Sequence, residues 1–346
     1  MNKREIIKKT IAHEPTEYVP YSFDMTSKIS EAVYKWLSDS GRLAEDGFIG
    51  DYFQFVGAGN PAGYAGENAG ENRYKDEFGC VWNHDPKTRE IGDCGNLYKP
   101  ALDAPSLDGY VFPVGAAPGR FDHLDERLVT VGGKYVVLGV TGIFDIGWHL
   151  RGFENFLGDL ADSENTFAEE VLELGAEYVC GVLSSAPPYI DGVRFGEDWG
   201  LQKGLMMAPS LWRKLLKPRL KRMYEAASGK GFDVLVHTCG DISEIIPDLA
   251  EIGVQVVNPM QPEVMDIHKI KREYGKYLSF YGGMGCQSTI PFGTVQNVAD
   301  EVADRVKTIG KGGGYILGPA GAIPRDAKLE NVFKLVELCM DGQKQF

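Results

Sequence analysis

The sequence predicts an α/β fold: a (β/α)8 barrel with an irregular N-terminal elaboration. Three observations carry this. Short apolar runs alternate with helical segments of about ten residues from residue 135 to the C-terminus. No Gly-x-Gly-x-x-Gly opens a helix, which turns the reading away from a dinucleotide-binding sheet. A chain of 346 residues, 43% hydrophobic, is large enough for one barrel with a full core. Residues 1–346 are therefore read as a single barrel domain, with residues 56–120 as an insertion at its rim or cap.

The elements follow in order. Residues 1–12 read as a short helix ended by Glu14-Pro15. Asp24, in Pro20-Tyr21-Ser22-Phe23-Asp24, either follows a first strand and faces a pocket or caps a helix. From about 56 to 120 the chain is rich in Gly, Asn, Asp and Pro, as in Gly57-Ala58-Gly59-Asn60-Pro61 and Ala116-Ala117-Pro118-Gly119. Tyr74 to Trp82 reads as a hairpin with aromatic cross-strand partners. Aromatic and β-branched residues recur through this stretch, so it reads as a folded cap, not a disordered linker.

Tyr135-Val136-Val137-Leu138-Gly139-Val140 has the unbroken apolar character of a strand buried on both faces. Helices are expected near 152–159 and 163–175, then a strand at 191–195. A long helix should start near Pro209, where proline suits the first turn. Beyond it the alternation is regular: strand 233–237, helix 242–252, strand 254–257, helix 266–274, strand 278–282, helix 295–309, strand 314–318, helix 329–340.

Composition narrows the partners. There are 36 Lys+Arg against 49 Asp+Glu, a formal net charge of -13. Nucleic acid and anionic membranes both need a basic footprint, so neither is expected as a partner. No stretch approaches the roughly 20 apolar residues of a membrane span. The basic N-terminal residues precede no apolar segment of a signal peptide. Six cysteines (80, 94, 180, 239, 286 and 339) are thinly spread, which fits a reducing cytoplasm better than a disulfide framework.

In a barrel of this kind the chemistry lies just past the C-terminal ends of the strands. His237-Thr238-Cys239 ends one strand. Residues i and i+2 face the same side, so an imidazole and a thiol would share a cavity as ligands of a borderline metal. The alternative is a core histidine beside a small buried thiol. Cys286 ends another strand and is either a converging third ligand or a small residue in a glycine-rich turn. Glu197 and Asp198 are adjacent carboxylates beside Trp199. They suit a general acid, or a helix N-terminus for dipole reasons alone. Gln202 and Gln261 are amides at strand ends that would orient a polar substrate or bond their own loops.

These segments resemble the uroporphyrinogen decarboxylase superfamily. The likeness lies in Ile11-Ala12-His13-Glu14-Pro15, in Asp191-Gly192-Val193-Arg194-Phe195-Gly196-Glu197-Asp198-Trp199-Gly200 and in Val236-His237-Thr238-Cys239-Gly240-Asp241. It continues through Asn258-Pro259-Met260-Gln261-Pro262, Tyr281-Gly282-Gly283-Met284-Gly285-Cys286-Gln287 and Gly318-Pro319-Ala320-Gly321-Ala322-Ile323-Pro324. It implies a (β/α)8 barrel with an N-terminal elaboration. Tyr281 is placed with Asp24, Gln202 and Gln261 among the substrate-binding candidates. The decarboxylases themselves resemble one another in an Arg-Gln-Ala-Gly-Arg-Tyr segment that meets the tetrapyrrole carboxylates. This chain has Tyr21-Ser22-Phe23-Asp24-Met25-Thr26-Ser27 there, without arginine, and that activity is rejected.

The resemblance then points to the cobalamin-dependent methyltransferase branch, which includes methylcobamide:coenzyme M methyltransferases and O-demethylase methyltransferases. The coenzyme M enzymes use a His-x-Cys…Cys zinc site. His237 and Cys239 match its first two ligands. The turn expected to hold the third reads Gly318-Pro319-Ala320-Gly321-Ala322-Ile323, without cysteine. The third ligand is then expected from Glu197 or Asp198, with Cys286 as the rival. The resemblance implies a Zn2+ cofactor and a corrinoid carried by a separate partner protein. The expected reaction moves a methyl group between that corrinoid and a small methylated substrate, preferably a methyl ether. The alternatives are decarboxylation of a non-porphyrin substrate and a non-catalytic corrinoid-binding accessory role.

Overall fold

A computed structural model describes residues 1–43, 52–64, 66–83 and 96–342. Strand β1 (Phe53–Gly57) is followed by four short strands: β2 (Glu67–Gly70), β3 (Arg73–Lys75), β4 (Val81–Asn83) and β5 (Asn96–Lys99). Then come β6 (Tyr135–Thr141), β7 (Gly192–Gly196), the small hairpin β8 (Gly200–Leu201) and β9 (Gly204–Leu205), and β10 (Asp233–His237). The last three are β11 (Val256–Met260), β12 (Ser279–Met284) and β13 (Tyr315–Pro319).

Strands β1, β6, β7, β10, β11, β12 and β13 lie side by side in that order, all parallel. An eighth parallel segment flanks β13. Tyr21 bridges to Leu317, Ser22 N–H donates to the Leu317 carbonyl at 3.0 Å, and Leu317 N–H donates to that of Pro20 at 2.8 Å. The sheet curls on itself. Phe53 of β1 and Tyr281 of β12 are separated by four strands in the ladder, yet their rings stack 5.8 Å apart. Near the seam, Tyr21 meets Tyr52 edge-on at 5.4 Å, and the Tyr52 and Tyr18 hydroxyls are 2.9 Å apart. The chain forms a (β/α)8 barrel. Strands β11, β12 and β13 are buried at every residue because helices cover one face and barrel side chains the other.

The outer helices bury one stripe each. Phe167–Ser185 turns Phe167, Val171, Leu172, Ala176, Val179 and Leu183 inward, at the three-to-four spacing of an amphipathic helix. Strand 233–237 and helix 329–340 fall where the sequence predicts them. The expected long helix from Pro209 is two, Pro209–Leu215 and Lys217–Ser228. Pro218 lacks the N–H that would have continued the first. Four helices lie outside the sequence expectation: the longer Ser27–Asp39 and Ile143–Arg151, and the single-turn Glu126–Val129 and Thr289–Phe292.

The expected insertion boundary at 56 needs correction. Val56 and Gly57 belong to barrel strand β1 and pair with Leu138 and Gly139. The strand is only five residues long and runs into a glycine-rich stretch, which hides its end in the sequence. Beyond it, β2 to β5 form a separate antiparallel sheet, with Tyr74 opposite Trp82. Asp76 holds the β3–β4 turn by accepting from Phe78 N–H, Cys80 N–H and Trp82 Nε1–H. Arg120, 2% exposed, ties this cap down through a bidentate pair with Glu77 at 2.8 and 2.7 Å. Tyr178 of the helix Phe167–Ser185 donates to the same carboxylate at 2.8 Å. His84 and Cys94 lie outside the described residues. Among the described residues, no helix is long and apolar enough to cross a membrane.

Candidate active site

The C-terminal side of the barrel opens into a cavity of about 300 Å³. Phe23, Asp24 and Tyr34 line it from the first barrel segment and the helix that follows. Phe55, Arg194, His237, Asn258 and Tyr281 line it from β1, β7, β10, β11 and β12. Asp24 is exposed and does not cap the helix Ser27–Asp39, whose N-cap is Thr26. Tyr281 is 7% exposed and fixed by its stack on Phe53.

Strand geometry aims the next residues. Thr238 is fully buried, and its hydroxyl accepts from Trp199 N–H at 3.1 Å. His237 and Cys239 therefore project to the other side, with Cys239 Sγ 3.7 Å from His237 Nε2. Asp198 joins them: its Oδ1 accepts from Cys239 N–H at 2.9 Å. The ligand atoms of Asp198, His237 and Cys239 all lie within 4.8 Å of one another. Cys286 lies outside this group among the described residues. It is buried, and its thiol donates to the Gly321 carbonyl at 3.3 Å behind the cavity wall.

One carboxylate, one imidazole and one thiol form a donor set suited to zinc. Bond lengths of roughly 2.0–2.3 Å in a tetrahedron put neighbouring ligand atoms ~3.3–3.8 Å apart, and the His237–Cys239 spacing falls in that range. Without metal, burial and then the Asp198 carboxylate push the Cys239 thiol up to about 12. Burial, and then the Arg194 guanidinium, lower the His237 pKa, which keeps the imidazole neutral and fit to ligate. Its Nδ1 lies 2.6 Å from Asn258 Oδ1 and 2.6 Å from a terminal nitrogen of Arg194. The first contact needs a proton on Nδ1; the second needs a lone pair there. Only the first leaves Nε2 bare on the Cys239 side.

Glu197 has a different place from the one the sequence suggested for a general acid. It is 1% exposed and does not line the cavity. Its oxygens accept from Ile143 N–H at 2.6 Å, Phe144 N–H at 3.1 Å and Trp199 Nε1–H at 3.2 Å. It thus caps the helix Ile143–Arg151, the dipole alternative. Burial, and then Asp145, hold its carboxyl well above the usual range. Asp145, on the first turn of that helix, is raised to about 7, by burial first and with Asp198 adding to it. Gln261 is also structural: buried, it accepts from Gly240 N–H at 3.2 Å and holds the turn after β10. Gln202 is exposed in the β8–β9 turn and does not reach the cavity.

Sequence reasoning missed Arg194 and gave no role to Asn258, Tyr34 or Phe55. Arg194 had a signal. It is the one charged residue in the strand Gly-Val-Arg-Phe-Gly, between fully buried Val193 and Phe195, so alternation turns it toward the barrel interior. Tyr34 had none, because its helix was not foreseen.

Comparison with known proteins agrees with this architecture. A curated methylcobamide:CoM methyltransferase of Methanosarcina barkeri is 22% identical over 274 residues, which is 75% of this chain and 74% of that protein. A solved methyltransferase structure from Methanosarcina mazei superposes with a TM-score of 0.68 at 16% identity, covering 99% of this chain and 98% of that one, a likeness of fold. The family model described as uroporphyrinogen decarboxylase matches residues 147–341. That span is more than half of the sequence and contains the donor group and half of the residues that line the cavity: the chain belongs to the uroporphyrinogen decarboxylase family.

Proposed function

We propose that this protein is a methyltransferase that moves a methyl group between a small methyl ether and the corrinoid of a separate protein. The similarity to a methylcobamide:CoM methyltransferase supports the reaction class. The observation that carries the reading is the grouping of Asp198, His237 and Cys239 beside the barrel cavity. With a carboxylate in the set and Cys286 outside it, the site is harder than one with two thiolates. It favours an oxygen-bound methyl over a thiol.

The chemistry is an in-line displacement at the methyl carbon. An ether oxygen leaves badly unless its developing charge is stabilised. Asp198, His237 and Cys239 would hold a zinc ion, which would supply Lewis-acid stabilisation of that oxygen. The other tasks fall to the chain's own residues. Asn258 accepts the Nδ1 proton of His237 and so fixes the ligating tautomer. Phe23, Tyr34, Phe55 and Tyr281 hold the body of the substrate and exclude water. Asp24 contributes a polar contact at the rim.

The test is methylation of Co(I) cobalamin across methoxyaromatics, methylamines and methanol, with zinc measured on the same preparation. Corrinoid methylation from an ether, with stoichiometric zinc, is expected. Carbon dioxide release without corrinoid methylation would mean a decarboxylase. Binding of a corrinoid protein with no turnover of any donor would mean an accessory protein.

A further inference from the structure

Among the described residues, Arg194 has no ion-pair partner. No carboxylate of the described residues lies within 4.0 Å of it. Its Nε is buried without a hydrogen-bond partner. Its terminal nitrogen faces two neutral groups, His237 Nδ1 at 2.6 Å and Asn258 Oδ1 at 3.4 Å. The Phe55 ring lies 5.7 Å from the guanidinium carbon. A partly buried guanidinium is costly unless an anion meets it, and the open side here is the cavity.

We infer that Arg194 selects the substrate: it binds the anionic end, a carboxylate or sulfonate, of the small molecule that enters the cavity. The inference deepens the methyl-transfer reading and rests on it only for calling that molecule the methyl substrate. The planar guanidinium fits a two-oxygen acid in a fork that an ammonium would not reproduce. The anion also resolves the conflict at His237. Drawn onto the ligand, Arg194 stops donating toward Nδ1, which is then free to carry the proton that Asn258 accepts. Anion binding and metal ligation at Nε2 thus favour each other, and the coupling is reciprocal. Asp24 lines the same cavity at its exposed rim, so the anionic end belongs at Arg194 and the neutral end toward Asp24.

The experiment is calorimetric binding to the purified full chain, without corrinoid. The probes are acetate, benzoate, 4-methoxybenzoate and ethanesulfonate, each beside its neutral amide. At least one anion should bind about tenfold or more tighter than its amide, the scale of one charge-assisted hydrogen bond. Arg194→Met should abolish that preference, and Arg194→Lys should keep part of it. If Arg194→Met does not fold, Arg194→Gln gives the same reading. Equal binding of every acid and amide, or a preference that survives in the folded Met or Gln variant, overturns the inference. Binding is read without turnover, so failed methyl transfer leaves the result intact. Conversely, equal KM for neutral and anionic donors sinks the anion site while leaving methyl transfer standing.

Discussion

A Cβ on Gly142 would stand 1.9 Å from Cδ of Glu197. The bare glycine is what lets that buried carboxyl reach the first N–H groups of the helix Ile143–Arg151. Gly142→Ala should therefore cost about 2–4 kcal/mol by driving Glu197 off those donors. In a Glu197→Ala background the same change should cost much less, because the clash is gone. A double-mutant cycle of urea melts checks this, and additive costs would show that the two residues act independently.

Zinc content should follow the Asp198, His237 and Cys239 group. His237→Ala and Cys239→Ser should each lose the metal while the metal-free protein keeps its Tm. Cys286→Ser should retain it. Asn258→Ala should weaken zinc about 10- to 100-fold through the unheld imidazole. Equilibrium dialysis against zinc decides each, and loss of metal in Cys286→Ser would restore that thiol as the third ligand.

Asp145 should make the metal-free protein lose stability as pH rises. Its carboxyl is raised from the usual 3.8 to about 7 in the fold, by burial first. The folded chain then binds the proton more tightly than the unfolded chain. The contribution is full below about pH 4 and is lost progressively up to about pH 7. Asp145→Asn has no such proton. The stability difference between wild type and Asp145→Asn should therefore shift by about 1–4 kcal/mol against wild type from pH 4.5 to 8. A flat difference in EDTA-treated samples would refute it.

Arg120→Met should loosen the cap and spare the barrel. It leaves the Glu77 carboxylate, 13% exposed, without its cationic partner. The expected cost is about 3–5 kcal/mol, confined to the cap if that sheet opens locally. Hydrogen exchange should accelerate in β3 and β4 but not in β10 to β13. Uniform acceleration would mean that cap and barrel unfold together.

The local pattern of the sequence determined the barrel's second half. Unbroken apolar runs such as Val234-Leu235-Val236 and Tyr315-Ile316-Leu317 read as strands with both faces covered, and the loops after them were where chemistry was expected. Period-two alternation likewise put His237, the last residue of β10, and Cys239, just past it, on one side of the chain, because extended backbone sets direction without regard to tertiary context. The first half was less legible. Strand β1 is short and its end merges with glycine-rich chain, and the Pro20–Ser22 segment pairs only through a single bridge beside β13.

Only the tertiary structure decided which polar residues meet. Glu197 and Asp198 are neighbours in sequence with opposite fates: one folds under Gly142 to cap a helix, while the other turns to the Cys239 N–H. Cys286 and Cys239 both sit past strand ends, yet Cys286 is spent on the Gly321 carbonyl. Arg194 reads as one charge in an apolar strand until β10 and β11 bring only neutral His237 and Asn258 to it. The physical reason is the same in each case. Periodicity fixes the direction of a side chain, but its partner comes from a strand or helix tens of residues away, and closure of the barrel chooses it.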